Sequence, residues 1–155
     1  MDFFNKREIE GRNKWLTINL KDILLGKKCI LFTTGACTYD FEMTAWTTTV
    51  TASYGEIKTV HRNFTQYPNF MIDYKKVKRL QDRAIKDGRL AYVVGFFEDY
   101  DLVWDVTNMD LEGRKYTQYC TSTTADYQKG KQEKEEIYLN FDEAIYKEEI
   151  INDNR

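Results

Sequence analysis

Ser53-Tyr54-Gly55-Glu56-Ile57-Lys58-Thr59-Val60 is the stretch on which the reading of the fold turns. It predicts a strand, because β-branched and aromatic residues surround its single glycine. Side chains alternate along a strand, so Ile57 and Thr59 share one side while Glu56 and Lys58 project together from the other. Upstream, Tyr39 to Thr51 is rich in threonine and aromatics and predicts another strand. Its alternation puts Tyr39, Phe41, Met43 and Ala45 on one side and Asp40, Glu42, Thr44 and Trp46 on the other. If the two strands are antiparallel neighbours, Asp40 and Glu56 converge on one face with Lys58 beside them.

Working outward, Phe3 to about Leu25 carries Ile9, Trp15, Leu16, Leu20, Ile23 and Leu24 at helical spacing, with Gly26 to close the helix. Lys28 to Phe32 is a short apolar strand, followed by a turn around Thr34 and Gly35. The stretch Arg62 to Asn69, holding the only proline, reads as a loop before a helix that starts near Ile72 or Asp73 and ends before Gly88. Leu90 to Phe97 is a concentrated apolar strand, Glu98 to Asp101 a turn, and Leu102 to Thr107 its hairpin partner. Further strands are expected at Tyr116 to Thr121 and Ile137 to Phe141, with a charged turn at Lys129 to Glu136 and a short helix from Asp142. The order suits an α/β domain, a sheet with helices against its faces.

A chain of 155 residues is sized for one domain, here 1–155, with a core over about 7–107 and an acidic C-terminal extension over 108–155. The 42% hydrophobic content is enough to fill that core. No stretch approaches the roughly 20 apolar residues that span a bilayer, and the polar start lacks the order of a secretion signal, so a cytoplasmic location away from membranes is expected. Cys29, Cys37 and Cys120 are odd in number and lack CxxC spacing, which argues against a disulfide framework or a zinc site. Net charge is only −2, but it is unevenly spread: residues 56–97 hold 9 Lys/Arg against 4 Asp/Glu, and residues 98–155 hold 7 against 15. The basic middle suits either a phosphate backbone or a solvated helix face.

Two carboxylates with a lysine beside them are the minimum equipment for metal-assisted phosphodiester hydrolysis. Mg²⁺ takes hard oxygen ligands and keeps several waters, a source for the nucleophile. The lysine can orient that water and offset charge developing on the phosphoryl oxygens. Asp40, Glu56 and Lys58 fill these roles, although Asp73-Tyr74-Lys75 is a second acid-x-Lys tripeptide in the same chain.

From Thr38 to Phe97 the chain resembles the PD-(D/E)xK, restriction-endonuclease-like nucleases, with a layout similar to the archaeal Holliday-junction resolvases. Thr38-Tyr39-Asp40 precedes Glu56-Ile57-Lys58 by 16 residues. The basic helix Tyr74-Lys75-Lys76-Val77-Lys78-Arg79-Leu80 and the strand Ala91-Tyr92-Val93-Val94-Gly95-Phe96-Phe97 then follow, as they do in that family. The proline that often leads the first acid is absent. The resemblance implies a restriction-endonuclease-like mixed sheet flanked by helices, with a C-terminal strand and helix addition. It implies a Mg²⁺-dependent deoxyribonuclease, endonucleolytic by preference, with Mn²⁺ as a substitute and a phage or microbial setting in DNA processing. Asp40, Glu56 and the Ile57 carbonyl would bind metal, Lys58 would assist the water, and Lys75 or Lys76 would contact the DNA backbone. Relatives also carry an acid on the first helix, for which Glu8 or Glu10 is the counterpart, and many dimerise to cut two strands. Glu42 rivals Asp40 on its face.

Plainer readings stand beside these. Asp40, Glu56 and Lys58 equally describe a cross-strand charge cluster on a solvated sheet face. His61 reads as ordinary surface, and most aromatics read as packing. The other functional class is a catalytically inactive nuclease-fold module that binds nucleic acid or a protein partner.

Overall fold

In a computed structural model, which describes residues 3–17, 28–32, 41–45, 53–67, 69–120 and 132–151, the chain forms a six-stranded mixed sheet and a three-stranded antiparallel sheet, with helices against them. Helix α1 (Phe3–Thr17) comes first, followed by β1 (Lys28–Phe32), β2 (Phe41–Ala45) and β3 (Ser53–Thr59). These strands form an antiparallel meander, with Phe41 opposite Gly55 and Glu42 opposite Tyr54. The predicted positions of α1, β1, β2 and β3 match as far as they are described. The predicted remainder of the first helix with Gly26, the Thr34–Gly35 turn and the end of the second strand lie outside the described residues.

From β3 the chain crosses over through β4 (Asn69–Asp73) and α2 (Tyr74–Lys86) to β5 (Leu90–Phe96). Strand β5 pairs with β3 in parallel, from Ser53 beside Leu90 to Thr59 beside Phe96. Strand β6 (Tyr100–Asp105) folds back antiparallel on β5. The short helix α3 (Leu111–Arg114), β7 (Tyr116–Cys120) and β8 (Gln132–Asn140) follow, and β9 (Tyr146–Glu149) closes the main sheet beside β6. The main sheet runs β1-β2-β3-β5-β6-β9, and the second runs β4-β8-β7.

Three expectations are corrected. Asn69 to Asp73 is a strand rather than loop and helix start. Phe70 and Ile72 point inward, Asn69, Met71 and Asp73 point out, and the whole segment pairs with Glu136–Asn140. Gln132 to Glu136 is strand rather than turn, because its backbone is laddered to β7 even though its charged side chains bury little. Past the 3-10 turn at Phe141–Glu143, Tyr146–Glu149 is an edge strand, where charge is tolerated because it discourages further pairing.

Helix α1 covers the Ile57/Thr59 side of β3. Gly11 permits this, since a Cβ there would stand 2.7 Å from Thr59 Oγ1 and 2.9 Å from Ile57 Cγ2. Lys14 fastens the helix by an ion pair of 3.1 Å to Asp101 on β6. Burial pushes the Asp101 carboxyl up, and Lys14 counters this only in part.

The opposite side of the sheet holds the main core. Val77, Leu80 and Ala84 of α2, Phe70 and Ile72 of β4, and Ile137 and Leu139 of β8 close over Ala91, Val93, Leu102 and Trp104. Each of the valine, leucine, isoleucine and phenylalanine side chains among them contributes about 1.5–3 kcal/mol on burial. Phe70 stacks on Trp104 with centroids 5.5 Å apart, and the indole Nε1 donates to the Asn140 carbonyl at 2.8 Å. Among the described residues no helix is long and apolar enough to cross a membrane.

Candidate active site

Strand alternation sends Tyr54, Glu56 and Lys58 toward α2, while Ile57 and Thr59 face α1. Tyr54 donates its hydroxyl to Asp87 at the end of α2 at 2.6 Å, which helps hold the helix along this face. Glu56 sits between them, opposite Val93 of β5, with only 1% of its surface exposed. A carboxylate this deep must be paired or neutralised. Two ammonium groups meet it on the same oxygen: Lys76 Nζ lies 2.5 Å from Oε1 and Lys58 Nζ lies 3.9 Å from it. Both lysine side chains remain partly open to solvent, 40% exposed for Lys58 and 44% for Lys76. The result is a buried negative centre reached from the surface by two cationic arms.

Lys76 is in place because β4 runs straight into α2. Asp73 ends the strand and caps the helix, its Oδ1 accepting the Lys75 and Lys76 backbone amides at 2.9 and 3.3 Å. This gives Asp73-Tyr74-Lys75 a structural task as a helix N-cap. Lys75, one residue before Lys76, points into solvent and does not share the approach to Glu56. The C-terminal end of α2 is stopped at Gly88, whose φ of 66° suits glycine, and β5 begins directly after.

The structure therefore brings together Glu56, Lys58 and Lys76. Asp40 lies outside the described residues, as do the side chains of Glu8 and Glu42; Glu42 is the register partner of Tyr54. Glu10 is exposed and lies 3.9 Å from His61 Nε2. Those two line a cleft of about 270 Å³ with Lys14, Phe96, Glu98 and Ile150, a cleft that Glu56 does not line. Tyr54, Tyr92 and Trp104 are packed in the interior, as read from the sequence. The pairing of Lys76 with Glu56 goes beyond the sequence reading, which gives Lys76 a DNA contact. The only sequence signal for the pairing is the place of Lys76 in the first turn of a helix whose start was blurred by the unrecognised strand β4.

As metal ligands, the described donors are the Glu56 carboxylate and the Ile57 carbonyl, hard oxygens of the kind Mg²⁺ takes. No three His, Cys, Asp or Glu side chains among the described residues stand close enough to hold an ion together. Compared with known proteins, the chain matches no family model, no curated protein and no solved structure.

Proposed function

We propose that the chain is a Mg²⁺-dependent nuclease that hydrolyses DNA phosphodiester bonds endonucleolytically on a PD-(D/E)xK, restriction-endonuclease-like domain. The observation that carries the reading is Glu56, a carboxylate 1% exposed on a central strand, with Lys58 two residues along and Lys76 from the following helix both directed at one of its oxygens. The order of helix, three strands, crossover helix and parallel strand supports it, because it puts the acid-x-Lys strand and the basic helix on one face. The register adds to this, since β2, from Phe41 opposite Gly55 to Met43 opposite Ser53, runs antiparallel beside the strand that carries Glu56.

In this reading Glu56, the Ile57 carbonyl and Asp40 hold the ion, which supplies Lewis-acid stabilisation of the phosphoryl oxygens. Lys58 orients the attacking water and offsets the negative charge that grows as the new P–O bond forms and the ester P–O bond breaks. Lys75 and Lys76 bind the DNA backbone by charge.

The test is cleavage of a panel of DNA and RNA substrates by wild type, Asp40→Ala, Glu56→Ala and Lys58→Ala, each with Mg²⁺, Mn²⁺ or EDTA. Cleavage of DNA that needs metal and falls at least about 100-fold in each variant is expected, the scale seen when a group acting in the transition state is removed. Full activity in all three variants rejects the assignment. DNA binding without cleavage under any condition moves the reading to a non-catalytic binding module.

A further inference from the structure

We propose that Lys76 is a built-in plug of the Glu56 site: its ammonium occupies the carboxylate oxygen that a divalent cation would take, and an arriving phosphodiester draws it away. Metal and substrate would then bind in concert rather than separately. The inference rests on the nuclease reading of this site and concerns how the site is loaded.

Both lysines are directed at the same atom, Glu56 Oε1, and Lys76 is the closer at 2.5 Å against 3.9 Å for Lys58. Mg²⁺ binds carboxylate oxygen at about 2.0–2.1 Å and needs open space for its remaining ligands. An ammonium already in contact with that oxygen fills part of this space and repels the ion as a like charge. The two cations therefore compete for one seat.

Lys76 is built to leave. Its side chain is 44% exposed, and it stands in the first turn of α2, which stays anchored by Val77, Leu80 and Ala84 when the lysine moves. What it lacks is a reason to exchange a buried carboxylate for water. A phosphodiester oxygen supplies one, since it offers a lysine a new anionic partner.

Mn²⁺ alone is the probe, its free concentration read by electron paramagnetic resonance with and without a short DNA duplex. The proteins are wild type, Lys76→Met, Lys76→Gln and Glu56→Gln, each checked for folding by circular dichroism. Lys76→Gln is included as the variant that keeps a hydrogen-bonding group if Lys76→Met does not fold. Without DNA, the Lys76 variants are expected to bind Mn²⁺ about tenfold more tightly than wild type, a typical size for coupled sites. Adding DNA should tighten Mn²⁺ binding in wild type but not in these variants. Affinity at or below the wild-type level in folded Lys76 variants, with Glu56→Gln weakened, overturns the plug and leaves the metal site standing. Wild-type affinity in Glu56→Gln means that Glu56 holds no metal, and the nuclease reading fails with the plug.

Discussion

Asp99 illustrates how one side chain at a turn sets local order. Its carboxylate accepts hydrogen bonds from the Phe64 amide at 2.5 Å, the Thr65 amide at 3.1 Å and the Thr65 hydroxyl at 2.8 Å, tying the 3-10 turn after the motif strand to the β5–β6 turn. Burial pushes the Asp99 acid up, but these hydrogen bonds outweigh it and hold the group below its ordinary value. The folded state therefore binds fewer protons here than the unfolded chain. The stabilisation is complete above the unfolded value of about 4 and is lost as pH falls through the lowered folded value. Asp99→Ala should cost about 1–3 kcal/mol at neutral pH, the scale of losing hydrogen bonds to a charged acceptor, and should flatten the acid limb of stability against pH. Chemical denaturation from pH 2 to 7 checks both effects, and an unchanged acid limb contradicts the assignment. The same contacts give Asn63-Phe64-Thr65, a tripeptide of glycosylation type, a plain structural use for its last two residues.

At the scale of elements, the junction of α1 with β3 is set by the absence of a side chain. Gly11→Ala gains about 1 kcal/mol of intrinsic helix propensity, yet its Cβ would stand 2.7 Å from Thr59 Oγ1 and 2.9 Å from Ile57 Cγ2. Neither atom is the far end of a flexible chain, so the helix must lift, and overpacking of this kind typically costs 1–3 kcal/mol. A net loss of stability is expected in thermal unfolding, whereas a more stable Gly11→Ala would show that the helix can shift freely. Ile57 also belongs to the acid-x-Lys tripeptide, so lifting α1 should disturb the strand that presents Glu56. Elements with strong periodicity were legible in the sequence: α2 with its buried stripe Val77, Leu80 and Ala84, β3 and β5. Strands β4, β9 and the first half of β8 were not. Only Phe70 and Ile72 mark β4, and Glu133 to Glu136 take their strand form from backbone pairing with β7 rather than from burial. A pattern of apolar residues cannot report a ladder that encloses no core.

Over the whole molecule, the acidic C-terminal segment is part of what keeps the basic middle folded. Leu111, Ile137 and Leu139 belong to the same buried cluster as Leu80 and Trp104, and β9 is hydrogen-bonded into the main sheet. Truncation after Asn108 should abolish cooperative unfolding, and Leu139→Ala, which opens a cavity in that cluster, should cost about 2–5 kcal/mol. Survival of a cooperative transition in the truncated chain would show that the other five strands of the main sheet do not need this segment. The Glu56 and Lys58 face was legible from alternation alone, because strand geometry leaves no other choice once β3 is recognised. The approach of Lys76 was not, since it depends on how β4, through its pairing with β8, sets the start of α2.

Trp104 gives the meeting of the two sheets an optical signature. Its indole belongs to β6, stacks on Phe70 of β4 and donates to the Asn140 carbonyl at the end of β8, with no surface exposed. An indole held dry in this way emits toward the blue, and it can reach water only if the seam between the sheets opens. With Trp15 and Trp46 replaced by phenylalanine, its fluorescence is therefore a gauge of that seam, distinct from the helical signal seen in circular dichroism, and any disagreement between the two would mark the sheets parting before the helices melt.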